Sequence, residues 1–181
     1  MTPATPESDL ALVLRATAFA AHKHRDQRRK DPAASPYINH PISVAYVLAQ
    51  EAGIEAAIVL CAALLHDTIE DTDTTLEELE MAFGSEIAAI VLEVTDDKLL
   101  PKQERKRLQV AHAATISRNA KLVKLADKIC NLRDLQASPP AGWSSERKRE
   151  YFDWAKQVID RVRGVDARLE ALFDAEYAKK P

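Results

Sequence analysis

Apolar positions recur along the chain at steps of three and four residues, the spacing that puts side chains on one face of a helix. Leu10, Val13, Leu14, Thr17, Ala18 and Ala21 follow it and predict a first helix over residues 6–24. Pro41 suits the first turn of a second helix, with Asn39 or His40 as its cap, which continues through Ile42, Ala45, Tyr46 and Ala49 to Gly53. Residues 54–65 are apolar almost all round, as expected of a helix through the middle of a domain rather than over its surface. Thr74 with Glu77 forms a capping box for a helix over 76–83, and Ser85 starts another through Ile87, Ile90, Val91 and Val94. A charged amphipathic helix follows over 102–113, then helices over 120–135, 145–163 and 166–177. The four glycines and nine prolines fall between these segments or at the ends of the chain, and β-hairpin signals are almost absent. The pattern predicts an all-α domain of roughly eight helices filling residues 1–181, with its core over about 8–164 and a C-terminal helix over 166–178.

Composition narrows this picture. A chain of 181 residues, 46% hydrophobic, can bury a sizeable core without disulfides. Its two cysteines, Cys61 and Cys130, lie far apart in apolar surroundings and are expected as buried thiols in a reducing compartment. Net charge is −3, so no nucleic-acid partner is expected, and any anion site must come from local clustering of bases. Residues 1–9 have no basic stretch leading into an apolar core, and no apolar run reaches the ~18–20 residues of a membrane span. The cytosol is the expected location, with no membrane partner.

The candidate chemistry centres on His66-Asp67-Thr68-Ile69-Glu70-Asp71, directly after the apolar run. On a helix these four polar groups share about one face, where like charges repel and buried carboxylates are costly unless they are paired or bind a cation. A metal would supply that cation, and a catalytic metal needs further ligands plus open positions. Two more candidates are His40, set by Pro36 and Pro41 at the mouth of a helix, and Asp127, an acid amid Leu122, Val123, Leu125, Ala126 and Ile129. Taken alone, Asp127 beside Lys124 and Lys128 reads as a helix-surface ion pair; beside His66-Asp67 a metal role is favoured. His22 and His24 are expected to complement the dipole at the end of the first helix, and Trp143 and Trp154 to anchor packing.

His40, the His66-Asp67 doublet and Asp127 have the order and contexts of the HD-domain phosphohydrolases, which the chain resembles. The stretches from Arg29-Lys30-Asp31 to Tyr37-Ile38-Asn39-His40-Pro41, Leu64 to Thr72, and Lys124-Leu125-Ala126-Asp127-Lys128 to Asn131-Leu132-Arg133 resemble the hydrolase domain of the RelA/SpoT alarmone enzymes. Val94 to Lys98 and Tyr151 to Ala155 add a likeness to their stand-alone form, the small alarmone hydrolases and metazoan SpoT homologues. The loop Asp31-Pro32-Ala33-Ala34-Ser35 departs from that form by lacking a glycine.

The resemblance implies a cytoplasmic enzyme that removes the 3′-pyrophosphate of guanosine tetra- or pentaphosphate, a small nucleotide, giving GDP or GTP. It further implies one Mn²⁺ held by His40, His66, Asp67 and Asp127, with Glu70 and Asp71 acting on the hydrolytic water. Arg29 and Lys30 match positions that approach substrate phosphates, Lys102 is a lesser candidate for the same task, and Tyr151 matches a tyrosine near the nucleotide, though it reads equally well as core. Asn131, four residues after Asp127 and so on the same helix face, is a candidate hydrogen-bonding partner for sugar or phosphate. Adenosine alarmones, the 2′-phosphate of NADPH and nucleotide sensing without cleavage remain as alternative functions.

Overall fold

The computed structural model describes residues 7–181; the first predicted helix was to begin at Pro6, outside that range. Among the described residues ten α-helical segments and one π-helical turn are connected by loops, with a single isolated β-bridge. Helix α1 (Asp9–Lys23) opens at Ser8, whose side chain accepts from the Ala11 N–H. Helix α3 (Ala57–Leu65) runs through the centre, with seven of its nine residues buried, and packs against α1, α2 (Asn39–Tyr46), α6 (Ser85–Val94) and α8 (Arg118–Ala137). Apolar residues all round α3 therefore have a partner on every side. Helices α5 (Leu76–Phe83), α7 (Lys102–His112), α9 (Ser145–Ile159) and α10 (Ala167–Tyr177) complete the bundle.

Several boundaries differ from the sequence expectation, each for a local reason. Helix α2 starts two residues before Pro41 because the first turn of a helix has no intrahelical use for its N–H groups, so proline costs nothing there. Neither Asn39 nor His40 caps it; the Asn39 and His40 N–H groups instead bond to the carbonyls of Pro36 and Tyr37 at 3.2 and 2.9 Å. Past Tyr46 the helix widens into the π turn Val47–Glu51, which Gly53 closes at φ +73. In that turn Glu51 meets the fork of Arg133 at 2.7 and 2.9 Å, tying α2 to α8. Residues 54–56 are not helical.

The capping threonine falls one residue later than expected. Thr75 accepts from the Glu78 N–H at 3.2 Å, while Thr74 is buried and bonded to Thr72 at 2.8 Å. Helix α8 is longer than expected, because Ser117 caps it through the Ala120 N–H. Helix α9 ends at Ile159 rather than 163. Cys61 and Cys130 are free and buried, as expected.

The largest departure concerns the central motif. Helix α3 stops at Leu65, where the predicted helix ends, but residues 66–71 do not share one helical face: the chain breaks before a one-turn helix α4 (Thr68–Asp71). Asp67 sits between them at φ −100 and ψ 0. Thr68 holds the break by donating to the Leu65 carbonyl at 2.7 Å.

Candidate active site

Three segments meet at this break. The start of α2 supplies His40, the end of α3 supplies His66 and Asp67, and the middle of α8 supplies Asp127. His40, His66 and Asp67 each offer a ligand atom within 4.8 Å of the others. Asp127 Oδ1 lies 3.1 Å from His40 Nε2 and 3.8 Å from His66 Nε2. The Ala63 carbonyl takes a hydrogen bond from His66 Nδ1 at 2.7 Å. A carbonyl can only accept, so the proton sits on Nδ1 and Nε2 turns toward the carboxylates. Nε2 is 3.0 Å from Asp67 Oδ2 and has no hydrogen-bond partner, which leaves it available to a cation.

The electrostatics fit a cation. Burial opposes a charge on His66, but Asp67 and Asp127 push its pKa up to about 9. Burial likewise opposes ionisation of the two carboxylates, yet His66 holds Asp67, and Lys128 with His40 holds Asp127, below the usual carboxylate range. A site that retains a proton so strongly has the charge and donor atoms to bind a divalent ion in its place. Mixed imidazole and carboxylate donors suit first-row divalent metals.

Neighbouring groups fix these donors. Tyr37 donates to Asp67 Oδ2 at 2.5 Å, and Lys128 and Asn131 donate to Asp127 at 2.9 and 2.5 Å. Asn131 thus faces Asp127. Lys124 and Lys128 are both buried, so the pair that Lys128 makes with Asp127 lies in the interior and not on the helix surface as the sequence suggested. Lys124 bonds the Val94 carbonyl at 3.2 Å, and Lys128 lies 4.7 Å from the Trp154 ring centre.

The two acidic residues of α4 part company. Glu70 faces a chamber of about 160 Å³ with His40, His66, Asp67 and Asp127. There it accepts from the Asp96 N–H at 3.3 Å and lies 3.5 Å from Arg105. Burial, with Asp67 and Asp96 nearby, pushes its pKa up to about 7. Asp71 instead lines an adjoining cavity of about 680 Å³, where it accepts from Gln27 at 2.8 Å and pairs with Lys98.

Arg29, Lys30, Asn131 and Tyr151 line that larger cavity too. The loop carrying the two bases is closed by hydrogen bonds from Arg29 N–H to the Ser35 carbonyl and from Tyr37 N–H to the Gln27 carbonyl, at 2.8 and 3.1 Å. Lys30 is exposed, while Arg29 pairs with Asp134. Lys102 lies apart, in a groove of about 550 Å³ with Lys106 and Arg147, joined to the larger cavity through a shared wall of Trp143 and Tyr151. Tyr151 thus belongs to the wall of both spaces, and burial pushes its hydroxyl up to about 12. Trp154 packs and donates to the Lys106 carbonyl at 3.1 Å, as expected of an anchor, whereas Trp143 lines both spaces.

His24 ends α1 as its C-cap residue, as expected, but its side chain turns inward. It is buried, its pKa is pulled below the ordinary value by burial, and Nδ1 meets Gln27 Oε1 at 2.6 Å. Gln27, Tyr37, Lys98, Arg105 and Asp134 carried no site signal of their own. Each reaches its partner across 26 or more positions of chain, beyond any helical spacing.

A helical bundle that gathers two histidines and two carboxylates around one point defines a class of metal-centred hydrolases. The chain belongs to the HD-domain family, which it matches over residues 16–153. It is 60% identical over 163 residues to the human guanosine-3′,5′-bis(diphosphate) 3′-pyrophosphohydrolase MESH1, covering 90% of this chain and 91% of the relative. The Xenopus tropicalis protein of the same name is 59% identical over 167 residues, covering 92% and 93%. A solved structure described as a metazoan ortholog of SpoT that hydrolyzes ppGpp superposes with a TM-score of 0.91 at 52% identity, covering 97% of this chain and 98% of that one. No described helix is long and apolar enough to cross a membrane.

Proposed function

We propose that this chain hydrolyses guanosine tetra- and pentaphosphate at the 3′ position, releasing pyrophosphate and leaving GDP or GTP, with one Mn²⁺ bound by His40, His66, Asp67 and Asp127. One observation carries the reading: these donors meet beside Glu70 next to a cavity bearing Arg29 and Lys30, in a chain 60% identical over nine-tenths of its length to a human ppGpp 3′-pyrophosphohydrolase.

When bound, the metal supplies positive charge that acidifies a water and offsets the phosphoryl charge. The chain's own residues do the rest. Arg29, whose guanidinium can fork onto two oxygens, and Lys30 hold the pyrophosphate in the larger cavity. Glu70, with a carboxyl near 7, is the group suited to take a proton from the attacking water at neutral pH. The water oxygen bonds to phosphorus, the bond from phosphorus to the ribose 3′ oxygen breaks, and that oxygen regains a proton as it leaves. Asp71, held by Lys98 and Gln27, organises the cavity side rather than the water. Tyr151 and Trp143 offer aromatic surface to the nucleoside.

The test is incubation of Mn²⁺-loaded protein with guanosine tetraphosphate and resolution of the products. GDP and pyrophosphate should appear in equal amounts. His66→Ala, Asp67→Ala and Asp127→Ala should lose metal and turnover together, and Glu70→Ala should lose turnover while keeping metal. Inertness toward the guanosine compound, with pyrophosphate released from an adenosine alarmone or orthophosphate from NADPH, would reject this substrate.

A further inference from the structure

His40 Nδ1 is buried and has no hydrogen-bond partner, although Nε2 of the same ring lies 3.1 Å from Asp127 Oδ1. The facing carboxylate oxygen, Asp134 Oδ2, stands 3.8 Å from Nδ1, and Arg29 Nη2 already holds that same oxygen. One oxygen therefore stands between a phosphate-binding guanidinium and the unsatisfied back of a metal-ligating imidazole. Asp134 lies two helical turns after Asp127 on α8, and its side chain is half exposed, so it has room to turn. Arg29 is anchored by its backbone and lies 5.7 Å from the Tyr37 ring centre, with its head in the larger cavity.

We propose that Asp134 is a positioning residue that couples anion binding to metal binding: an oxyanion engaging Arg29 releases Asp134 to accept from His40 Nδ1–H, the form the ring takes when a metal replaces the proton that Nε2 shares with Asp127. The inference rests on the metal reading given above. A ligating histidine whose second N–H is held by a carboxylate is fixed in orientation and becomes a better donor. In the resting arrangement Arg29 withholds that carboxylate. A phosphate can replace Asp134 at Arg29, because both present oxygens to the same fork. The metal centre is thereby tightened only when the anion is in place, and by linkage the metal strengthens anion binding to the same degree.

The experiment measures Mn²⁺ binding to the full chain and to Asp134→Asn and Asp134→Ala, with and without sulfate, a divalent oxyanion that complexes Mn²⁺ only weakly. Both variants are neutral, but only asparagine keeps an oxygen to accept from Nδ1–H, so their difference reads the hydrogen bond and not the charge. Asp134→Ala should bind Mn²⁺ about tenfold more weakly than Asp134→Asn. Sulfate should tighten Mn²⁺ about fivefold in the wild type and leave Asp134→Ala unaffected. Equal affinities in the two variants, or an equal sulfate response in wild type and Asp134→Ala, would overturn the proposal while the metal reading stands. A wild type that binds no Mn²⁺ would overturn both. If Asp134→Ala does not fold, Arg29→Ala supplies the second test: with Asp134 freed, Mn²⁺ affinity without sulfate should rise to the level that sulfate produces in the wild type, and an unchanged affinity would overturn the proposal.

Discussion

Glu70→Gln should abolish turnover and yet make the metal-free protein more stable above neutral pH. The argument starts from a carboxyl whose ordinary value is 4.5 and which burial, Asp67 and Asp96 push up to about 7 in the fold. The side chain is 18% exposed, so solvent screening removes little of the effect. Because the folded value is raised, the folded state binds the proton more tightly than the unfolded chain does. Below pH 4.5 Glu70 is protonated in both states and resembles glutamine. Between 4.5 and 7 the unfolded chain ionises first, and the wild type loses stability; above 7 both states are ionised and the loss is complete. At about 1.4 kcal/mol for each tenfold change in proton affinity, the full loss is about 3 kcal/mol. Glutamine keeps an oxygen for the Asp96 N–H and carries no charge to desolvate, so it escapes this cost. Urea unfolding of both proteins at pH 5, 6, 7 and 8 in EDTA reads the difference directly, since chelation removes any cation that would neutralise the carboxylates. The variant's advantage should be small at pH 5, grow to about 3 kcal/mol by pH 8, and level off. A constant gap across that range, or a less stable variant at pH 8, would refute the assignment of Glu70 as a buried acid held near neutrality.

Two further outcomes follow from single contacts. Tyr37→Phe removes the 2.5 Å hydrogen bond to Asp67 and should weaken Mn²⁺ binding about tenfold, read by metal titration, with helix content unchanged by circular dichroism. Ala34 has φ +47, a left-handed conformation that disfavours a side chain, so Ala34→Gly should raise stability by about 0.5–1 kcal/mol in urea unfolding; a loss of stability would show that the loop is not strained there.

The helical segments were legible because their evidence is local. Apolar residues at three- and four-residue steps, capping serines and the placement of glycine and proline act within one or two turns, and the bundle follows from them. The errors were local too, but of a kind periodicity does not record. The π turn at Val47–Glu51 keeps the apolar stripe of α2 while adding a residue to the turn, so the pattern reads through it as one helix. Thr74 and Thr75 are equally good caps by type, and the choice falls to Thr75 because Thr74 is taken into the interior against Thr72.

The four side chains that the fold brings together were legible in the sequence, and the groups that surround them were not. His40, His66, Asp67 and Asp127 are conspicuous because a buried carboxylate or imidazole needs a partner, and four such residues ask for a common one. That reasoning identifies the groups but treats Glu70 and Asp71 alike, since on an unbroken helix both lie near the doublet. The break after Leu65 separates them. Past the break, Glu70 enters the smaller chamber, where burial and the nearby Asp67 and Asp96 raise its carboxyl despite the Arg105 guanidinium 3.5 Å away, while Asp71 meets Lys98 and Gln27 in the wider cavity. Two adjacent acids thus acquire different chemistry from partners 26 to 44 positions away in the chain. The same holds for Lys124 and Lys128, which next to Asp127 look like ordinary surface charges. Their burial follows from the position of α8, packed on α3, α6 and α9, and so from contacts that no window on the sequence contains.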